Sequence, residues 1–323
     1  MNRRNVVCRL LSATLISSVV PAAFAQSAAR DKPVRLVVPF PPGGAADLIG
    51  RALALKLTLS LGQTVIVENK LGATGAIGSE FVSKAAPDGQ TLLLGTISTH
   101  GTNPALNPKY YDPARDFSHL SLVASNPVVF IVHPSVQANT VQEFVRLAKG
   151  KPGMPFGSNG NGSYNHLAVE LFKDMAQIDL LHIPYKGAGP VMIDLVGGQI
   201  LFVAADLAGA TPYIRSGKVR ALAVASPQRI PGYDLPTVME SGYPNFDVSA
   251  WYAMFGPPNM PPSLVAKLHD AIAQAVESPD IQERLRAVGA IGGSETPEQL
   301  RARVQREVSR WTAVIKTSNI KSE

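Results

Sequence analysis

Two glycine-rich turns carry the residues best suited to chemistry in this sequence. The first, PFPPGGAAD, runs from Pro39 to Asp47 and follows the short apolar run Val34–Val38. Its prolines lack an N–H and therefore end a strand, whereas Gly43 and Gly44 allow close backbone approach to a ligand. Asp47 suits the positive end of a helix dipole. The pattern predicts free main-chain amides that attract an anion such as a carboxylate, although a tight turn without a ligand explains it equally well.

The second turn, FGSNGNGS, runs from Phe156 to Ser163 and again separates a short strand from a helical pattern. It adds hydroxyl and amide groups between its glycines. Ser163 suits two roles, capping the following helix or binding a ligand. If the two turns lie in different lobes, they hold one anionic ligand from both sides.

Motifs for other chemistries are missing. We find no G-x-S-x-G nucleophile elbow, no phosphate-binding P-loop and no dinucleotide-binding G-x-G-x-x-G. His166 and Glu170 lie four residues apart on a predicted helix, but H-E-x-x-H is absent, so we expect His166 to brace its own loop. The lone cysteine, Cys8, lies near the N-terminus. We therefore predict no metal, no cofactor and no enzymatic activity. A Ser/His/Asp triad assembled from distant segments remains an open alternative.

Strand-like and helix-like segments alternate along the chain, which indicates an α/β fold with parallel sheets covered by helices on both faces. The predicted strands are Val34–Val38, Thr64–Val67, Thr91–Leu94, Val128–Val132, Leu180–Ile183, Ile200–Ala204 and Val219–Ala225. The predicted helices are Ala45–Ser60, Ile77–Ala86, Val141–Lys149, Tyr164–Ala176, Val191–Val196, Pro261–Val276, Asp280–Val288 and Pro297–Ile315.

Two apolar, extended segments, Leu122–Pro134 and Ser249–Pro258, read as connections between two lobes. If the chain crosses at both, one lobe is discontinuous. We predict a first lobe of residues 33–125 and 250–323 and a second lobe of residues 126–249, with a hinge and a ligand cleft between them.

Composition bounds the cellular setting. The 323 residues are 46% hydrophobic and 17% charged, which is enough for a sizeable core. Met1–Ala25 has a basic start, an apolar stretch and small residues at its end, so we predict a signal peptide and a periplasmic protein. The formal charge of +6 falls to +3 without the three arginines of that segment. With no basic block, nucleic acid is not a predicted partner.

Longer segments resemble the Bug family, the extracytoplasmic receptors of tripartite tricarboxylate transporters. They are, in order, VPFPPGGAAD, GATGAIGSEFVSKAAPDG, YYDPARDF, GSNGNGSYNHLAVELF, HIPYKGAGPVMIDLVGGQI, IRSGKVRALAVAS and SAWYAMFGPP. The resemblance implies a type II periplasmic-binding-protein fold with two lobes, two crossover strands and closure around a ligand. It also implies a small organic acid as ligand: a dicarboxylate or tricarboxylate, an acidic amino acid or an aromatic carboxylate. We expect a monomer that works with membrane transporter subunits.

The same resemblance assigns ligand contacts to both lobes. In the first lobe they are Phe40, Pro42, Gly43, Gly44, Ala45, Asp47, Thr96, Ser98 and Thr99, and in the second Ser158, Gly160, Asn161, Gly162, Ser163, His166 and Asp206. The sequence departs from the family after Gly197-Gly198-Gln199, where Leu201 replaces the usual first Asp, and Asp206 follows one position after the usual second polar residue. We therefore expect a less polar wall there and a different direction for Asp206.

The sequence thus predicts a periplasmic receptor that captures a small carboxylate and delivers it to a transporter. Two alternatives remain open: a receptor that presents its ligand to a signalling partner, and an exported hydrolase with its site in the cleft.

Overall fold

The computed structural model describes residues 32–320, and the predicted signal segment Met1–Ala25 lies outside this range. The strands are β1 Val34–Val38, β2 Val65–Asn69, β3 Thr91–Thr96, β4 Ser118–Val132, β5 Met154–Ser158, β6 Leu180–Pro184, β7 Phe202–Asp206, β8 Arg220–Val224, β9 Ser249–Gly256 and β10 Ile291–Gly292. The α-helices are α1 Ala45–Leu61, α2 Ala76–Ser83, α3 Asn103–Leu106, α4 Val141–Gly150, α5 Tyr164–Ala176, α6 Ala188–Val196, α7 Leu207–Arg215, α8 Pro262–Glu277, α9 Pro279–Ala287 and α10 Pro297–Thr317. Between residues 32 and 320, no helix is both long and apolar enough to cross a bilayer.

The first sheet is built on β1, which pairs in parallel with β2 on one side and β3 on the other. All six residues of β3 are buried, as expected for a strand covered on both faces. Helix α1 connects β1 to β2 and ends at Gly62, whose left-handed backbone favours glycine. Strand β9 closes this sheet by pairing antiparallel with both β3 and β4.

The second sheet repeats the arrangement around β5, which pairs in parallel with β6 and β7. The fifteen-residue strand β4 belongs to both sheets. Its first part pairs with β9, and its last part, from Val128 to Val132, pairs antiparallel with β7 and β8. We call the two sheets with their helices the first lobe and the second lobe.

Alternating side chains on the strands separate three apolar clusters. One cluster combines Val37 and Leu93 of the first sheet with Phe130 and Phe156 of the second, and it includes the fully buried Trp311 of α10. The neighbouring strand residues Leu36 and Leu92 face the opposite side, in a cluster confined to the first lobe. The third cluster is confined to the second lobe and contains Val129, Ile131 and Val203. One core therefore runs through both lobes.

Each sheet contains a topological switch point. In the first sheet the strand order is β2-β1-β3, so the chain leaves β1 in one direction and reaches β3 on the other side. In the second sheet the order is β6-β5-β7. Ligands of open α/β sheets bind beyond the carboxyl ends of the strands at such points. The loops that follow β1, β3, β5 and β7 are therefore the natural place for a site.

Several predicted elements have different bounds. The strand predicted at Ile200–Ala204 is found at Phe202–Asp206, and the one predicted at Thr91–Leu94 continues to Thr96. The loop expected around Ser98 and Thr99 is a π-helical turn, Ser98–Thr102. Helix α7 was not predicted, because Pro212 lies inside it and proline normally breaks a helix.

Candidate functional site

The loop after β1 is organised by its own side chains. Gly43 adopts φ +80°, and its N–H donates to Asp47 Oδ2 at 2.9 Å. The Gly44 N–H approaches Pro41 O at 3.4 Å. Both amides therefore have acceptors within the chain, and contact of Gly43 and Gly44 with a ligand stays a prediction. The first hydrogen bond of α1 runs from the Leu48 N–H to Gly44 O. The N–H groups of Ala45 to Asp47 come before it and therefore have no acceptor within the helix.

Asp47 holds this loop together. Its side chain is buried, and its carboxylate also accepts from Arg51 Nε at 2.9 Å and from Asn69 Nδ2 at 2.9 Å. Asn69 Nδ2 also donates to Phe40 O at 3.0 Å. The bond from Arg51 is the main reason that the pKa of Asp47 falls to about 2. Both carboxylate oxygens have partners within the protein, so Asp47 braces the loop, and its contact with a ligand stays a prediction.

The turn after β3 is stabilised in the same way. Thr96 Oγ1 accepts from the amides of Ser98 at 3.2 Å and Thr99 at 3.4 Å. Thr99 Oγ1 accepts from the Thr96 amide at 2.8 Å and lies 2.9 Å from His100 Nδ1. Thr96 and Thr99 are buried, whereas Ser98 is partly exposed. The two threonines shape the turn that presents Ser98.

The turn after β5 contains a buried hydrogen-bond network. Ser163 caps α5 by accepting from the His166 amide at 3.3 Å. His166 Nδ1 accepts from the Gly162 amide at 3.1 Å, so His166 braces its own loop. Its ring stacks on His182 with centroids 3.6 Å apart. His182 Nε2 in turn lies 2.7 Å from Ser158 Oγ. These contacts fix the turn from beneath.

The Ser158–His182 pair has the spacing of a nucleophile and its base, but not the exposure. Ser158 is fully buried and already contacts Gly160 O at 3.0 Å. Burial lowers the pKa of His182 to about 4. A substrate cannot reach the hydroxyl, so this pair is structural. Among the residues from 32 to 320, no three or more His, Cys, Asp or Glu side chains are grouped so as to hold a metal ion.

A cavity of about 380 Å³ lies between the lobes. The residues lining it from the first lobe are Ala73, Thr74, Ser98, Thr102, Asn103, Leu106, Asn107, Lys109 and Tyr110, and those from the second lobe are Asn159, Gly160, Asn161, Gly162 and Ser163. Gly162 approaches Leu106 so closely that a Cβ atom on it would lie 2.6 Å from Leu106 Cδ1. The turns after β3 and β5 thus face each other, whereas the sequence paired the turn after β5 with the one after β1.

A second cavity, of about 200 Å³, lies at the switch point of the second sheet. It is lined by Asn159, Asn165, Ala188, Gly189, Val191, Met192, Val203, Ala205, Asp206, Gly209, Ala210 and Tyr213. Asn159 lines both cavities, so they adjoin at the turn after β5. Ala205 and Asp206 both face this cavity, because β7 ends at Asp206 and its alternation of side chains stops there. Leu201 packs partly buried against the shared core instead.

The predicted site residues therefore fall into three groups. Ser98, Gly160, Asn161, Gly162, Ser163 and Asp206 line one of the two cavities. Thr96, Thr99, Ser158 and His166 are buried behind them. The third group lines neither cavity and comprises Phe40, Pro42, Gly43 and Gly44 of the β1–α1 loop with Ala45 and Asp47 of the first turn of α1.

Sequence reasoning did not select several lining residues. Asn165 belongs to the predicted helix Tyr164–Ala176, in which a polar residue usually means a solvated face, and Tyr213 belongs to α7, which was not predicted. Ala188 and Gly189 begin α6 after Gly187, which adopts φ +100°. The stretch KGAGP from Lys186 to Pro190 repeats the signal of a glycine turn before a helix, and it could have identified this wall of the cavity.

Comparison with known proteins gives a consistent result. The model of the tripartite tricarboxylate transporter family receptor matches residues 49–320. Protein BugT of Bordetella pertussis is 36% identical over 294 residues, covering 90% of each chain. A structure of an R. palustris protein with adipate is 32% identical with a TM-score of 0.73, and covers 90% of this chain and 98% of its own. MatC from Rhodopseudomonas palustris with bound malate is 34% identical with a TM-score of 0.71, and the match covers 88% of this chain and 99% of MatC.

Proposed function

The chain belongs to the tripartite tricarboxylate transporter receptor family, and from that premise we propose that it captures a small organic carboxylate in the periplasm and delivers it to the membrane subunits of a transporter. The ligand belongs to the dicarboxylates, tricarboxylates, acidic amino acids or aromatic carboxylates. The protein works as a monomer by binding and lobe closure, without changing its ligand and without binding nucleic acid. Its lobes comprise residues 33–125 with 250–323, and residues 126–249.

One observation carries this proposal: the cavity between the lobes is lined by glycine-rich and hydroxyl-bearing turns from both of them. Gly160 and Gly162 line it without side chains, and Ser98 and Ser163 line it with hydroxyl-bearing side chains. A ligand that contacts both walls stabilises the closed arrangement, because it loses half of these contacts when the lobes separate. The related proteins solved with adipate and with malate support a carboxylate as that ligand.

The electrostatics of the cavity suit an acid held mainly by neutral groups. Lys109 is the one charged residue among those lining the cavity between the lobes. Main-chain N–H groups and hydroxyls can stabilise a carboxylate without a salt bridge, as they do at helix N-termini. The ligand is thus held mainly by neutral hydrogen-bond donors, without several buried ion pairs.

The proposal is tested by a thermal-shift screen of the full chain against acids of the four classes. A ligand at about a hundredfold excess over its Kd stabilises the folded state by about 2.7 kcal/mol, which raises Tm by several degrees. The matched control for each acid is its uncharged amide. The acid is recovered intact after incubation, because the protein does not react with it.

Two results would overturn the proposal. One is the absence of any shift with any carboxylate in the panel. The other is an equal shift with the acid and its amide, since the site would then not recognise the carboxylate. Conversion of a bound acid or ester into a product would instead favour an exported hydrolase.

A further inference from the structure

The cavity at the switch point of the second sheet has one charged side chain among those lining it, Asp206. Asp206 is the N-cap residue of α7, yet its side chain makes no capping hydrogen bond to that helix. Its Oδ1 instead accepts a short hydrogen bond from the Tyr164 hydroxyl. Within residues 32–320 no hydrogen bond reaches Oδ2. The carboxylate is therefore held in place by one oxygen and offers the other to the cavity.

This carboxylate lies close to the first lobe as well. Asp206 pairs with Val128 of β4, and the preceding residue of that strand, Pro127, pairs with Ser249 of β9. Burial raises the pKa of Tyr252, also on β9, and the negative charge of Asp206 adds to that effect. Tyr252 pairs with Thr96 across β3 and β9, at the edge of the first sheet that carries the loop after β3. Asp206 thus lies beside the strand that the two sheets share.

The two neighbouring amides are already partly engaged with each other and with the main chain. Asn159 Nδ2 donates to Asn165 Oδ1 at 2.7 Å. Asn165 Nδ2 donates to Ala204 O at 2.9 Å. One N–H of each amide is therefore already engaged, and Asn159, which lines the cavity with Asp206, keeps its Oδ1 as an acceptor and a second N–H as a donor. A second carboxylate placed here would meet the like charge of Asp206, which disfavours its binding.

We propose that this cavity recognises a hydrogen-bond donor on the ligand, so that the preferred substrates are carboxylates bearing a hydroxyl or ammonium group. This inference rests on the proposed function: the turns between the lobes hold the carboxylate, and Asp206 accepts from the substituent. A hydrogen bond to a charged acceptor distinguishes such a ligand from its unsubstituted analogue by roughly tenfold or more.

The test measures Kd by isothermal titration for matched pairs that differ in the donor: malate and succinate, aspartate and succinate, lactate and propionate, 4-hydroxybenzoate and benzoate. In the unmodified protein, the substituted acid of at least one pair binds tenfold or more tightly than its partner. In Asp206→Asn this preference falls below about threefold, because the amide still accepts from Tyr164 but offers an N–H to the ligand.

The matched control is Asp194→Asn. Asp194 Oδ2 accepts from the Tyr185 hydroxyl at 2.7 Å, so it forms the same kind of pair in the same lobe, but it does not line the cavity. This variant keeps the tenfold preference. Urea denaturation of both variants shows whether each is folded, and the preference of the unmodified protein tests the inference even if Asp206→Asn does not fold.

The outcomes separate the two proposals. If unsubstituted acids bind as tightly as their substituted partners, or if the preference survives in Asp206→Asn, the inference is wrong and the carboxylate receptor stands. If no acid of either kind binds, the proposed function fails and the inference fails with it.

Discussion

Individual side chains shape the loops of this protein, because they form hydrogen bonds with main-chain groups that the sequence predicted to be free. Asp47 is the strongest example, since it accepts from Gly43, Arg51 and Asn69 while buried. A carboxylate with this many donors is more acidic in the folded protein than in the unfolded chain. The folded state therefore binds fewer protons, and its stability depends on pH through this residue.

We predict that Asp47→Asn lowers the free energy of unfolding by about 2 kcal/mol at pH 7. The pKa of Asp47 is depressed to about 2 from an ordinary value of 3.8, so its contribution is complete above pH 4 and disappears as the pH falls toward 2. Urea denaturation at pH 7 and at steps down to pH 2 will show the difference between the two proteins shrinking over that range.

The titration of Glu170 does not affect the comparison of Asp47→Asn with the unmodified protein. Burial would raise the pKa of Glu170, but bonds with His166 and Lys173 hold it at about 2, and it titrates in both proteins alike. Asp280→Asn is the control, because Asp280 forms an exposed ion pair with Lys56 and should contribute far less. A constant difference between Asp47→Asn and the unmodified protein at all pH values would contradict the prediction.

Among the elements, α7 of the second lobe makes a close contact with the first lobe. It begins directly after Asp206, so its position sets that of the carboxylate. Gly289, in the turn between α9 and β10, packs against its first turn, and a Cβ atom on Gly289 would lie 1.8 Å from Ala208 Cβ. Neither group can move aside without shifting backbone, so a glycine is required at this contact.

We predict that Gly289→Ala weakens binding of the ligand identified in the screen by tenfold or more, although Gly289 lines neither ligand cavity. The new methyl group displaces α7 and with it Asp206. The double variant Gly289→Ala with Ala208→Gly removes the clash and restores affinity to within about threefold. Isothermal titration of the three proteins measures this.

Gly217, just beyond the other end of α7, provides the control. Its φ of +70° matches the +74° of Gly289, but nothing lies within 4 Å of a Cβ atom placed on it. Gly217→Ala therefore costs about 1–2 kcal/mol of stability through backbone strain and leaves affinity unchanged. If Gly217→Ala weakens binding as much as Gly289→Ala, strain rather than interlobe contact explains both.

For the whole molecule, the shared apolar core decides how the lobes unfold. The cluster that contains Trp311 also contains residues of both sheets, and strand β4 runs through both. Neither lobe has a complete core without the other. The two lobes should therefore unfold together, even though a ligand binds between them.

We predict a single unfolding transition, seen at the same urea concentration by far-ultraviolet and near-ultraviolet circular dichroism. Trp311→Ala removes a fully buried ring and lowers the free energy of unfolding by about 3–5 kcal/mol without splitting the transition. Leu195→Ala, in the cluster confined to the second lobe, serves as the control. Two resolved transitions in the unmodified protein would show that the lobes are independent.

The sequence by itself determined the class of fold and the position of the main turns. Alternating strand and helix patterns predicted the α/β architecture, and the glycine and proline residues of PFPPGGAAD and GSNGNGS placed both turns correctly between a strand and a helix. The resemblance to the Bug family is confirmed by the family match and by the structures similar to this chain. These features are local, because glycine, proline and hydrophobic period act over a few residues.

The tertiary structure alone decided which polar groups remain available to a ligand. The Gly43 amide donates to Asp47, and Ser158 is buried beside His182. Asp206 accepts from Tyr164 instead of capping its own helix. Local patterns cannot foresee these outcomes, because Tyr164 and Asp206 are separated by 42 residues and meet only when β7 joins β5 in the second sheet. A polar group pairs with whichever partner the folded chain brings within hydrogen-bond distance, and that choice belongs to the packing of the whole molecule.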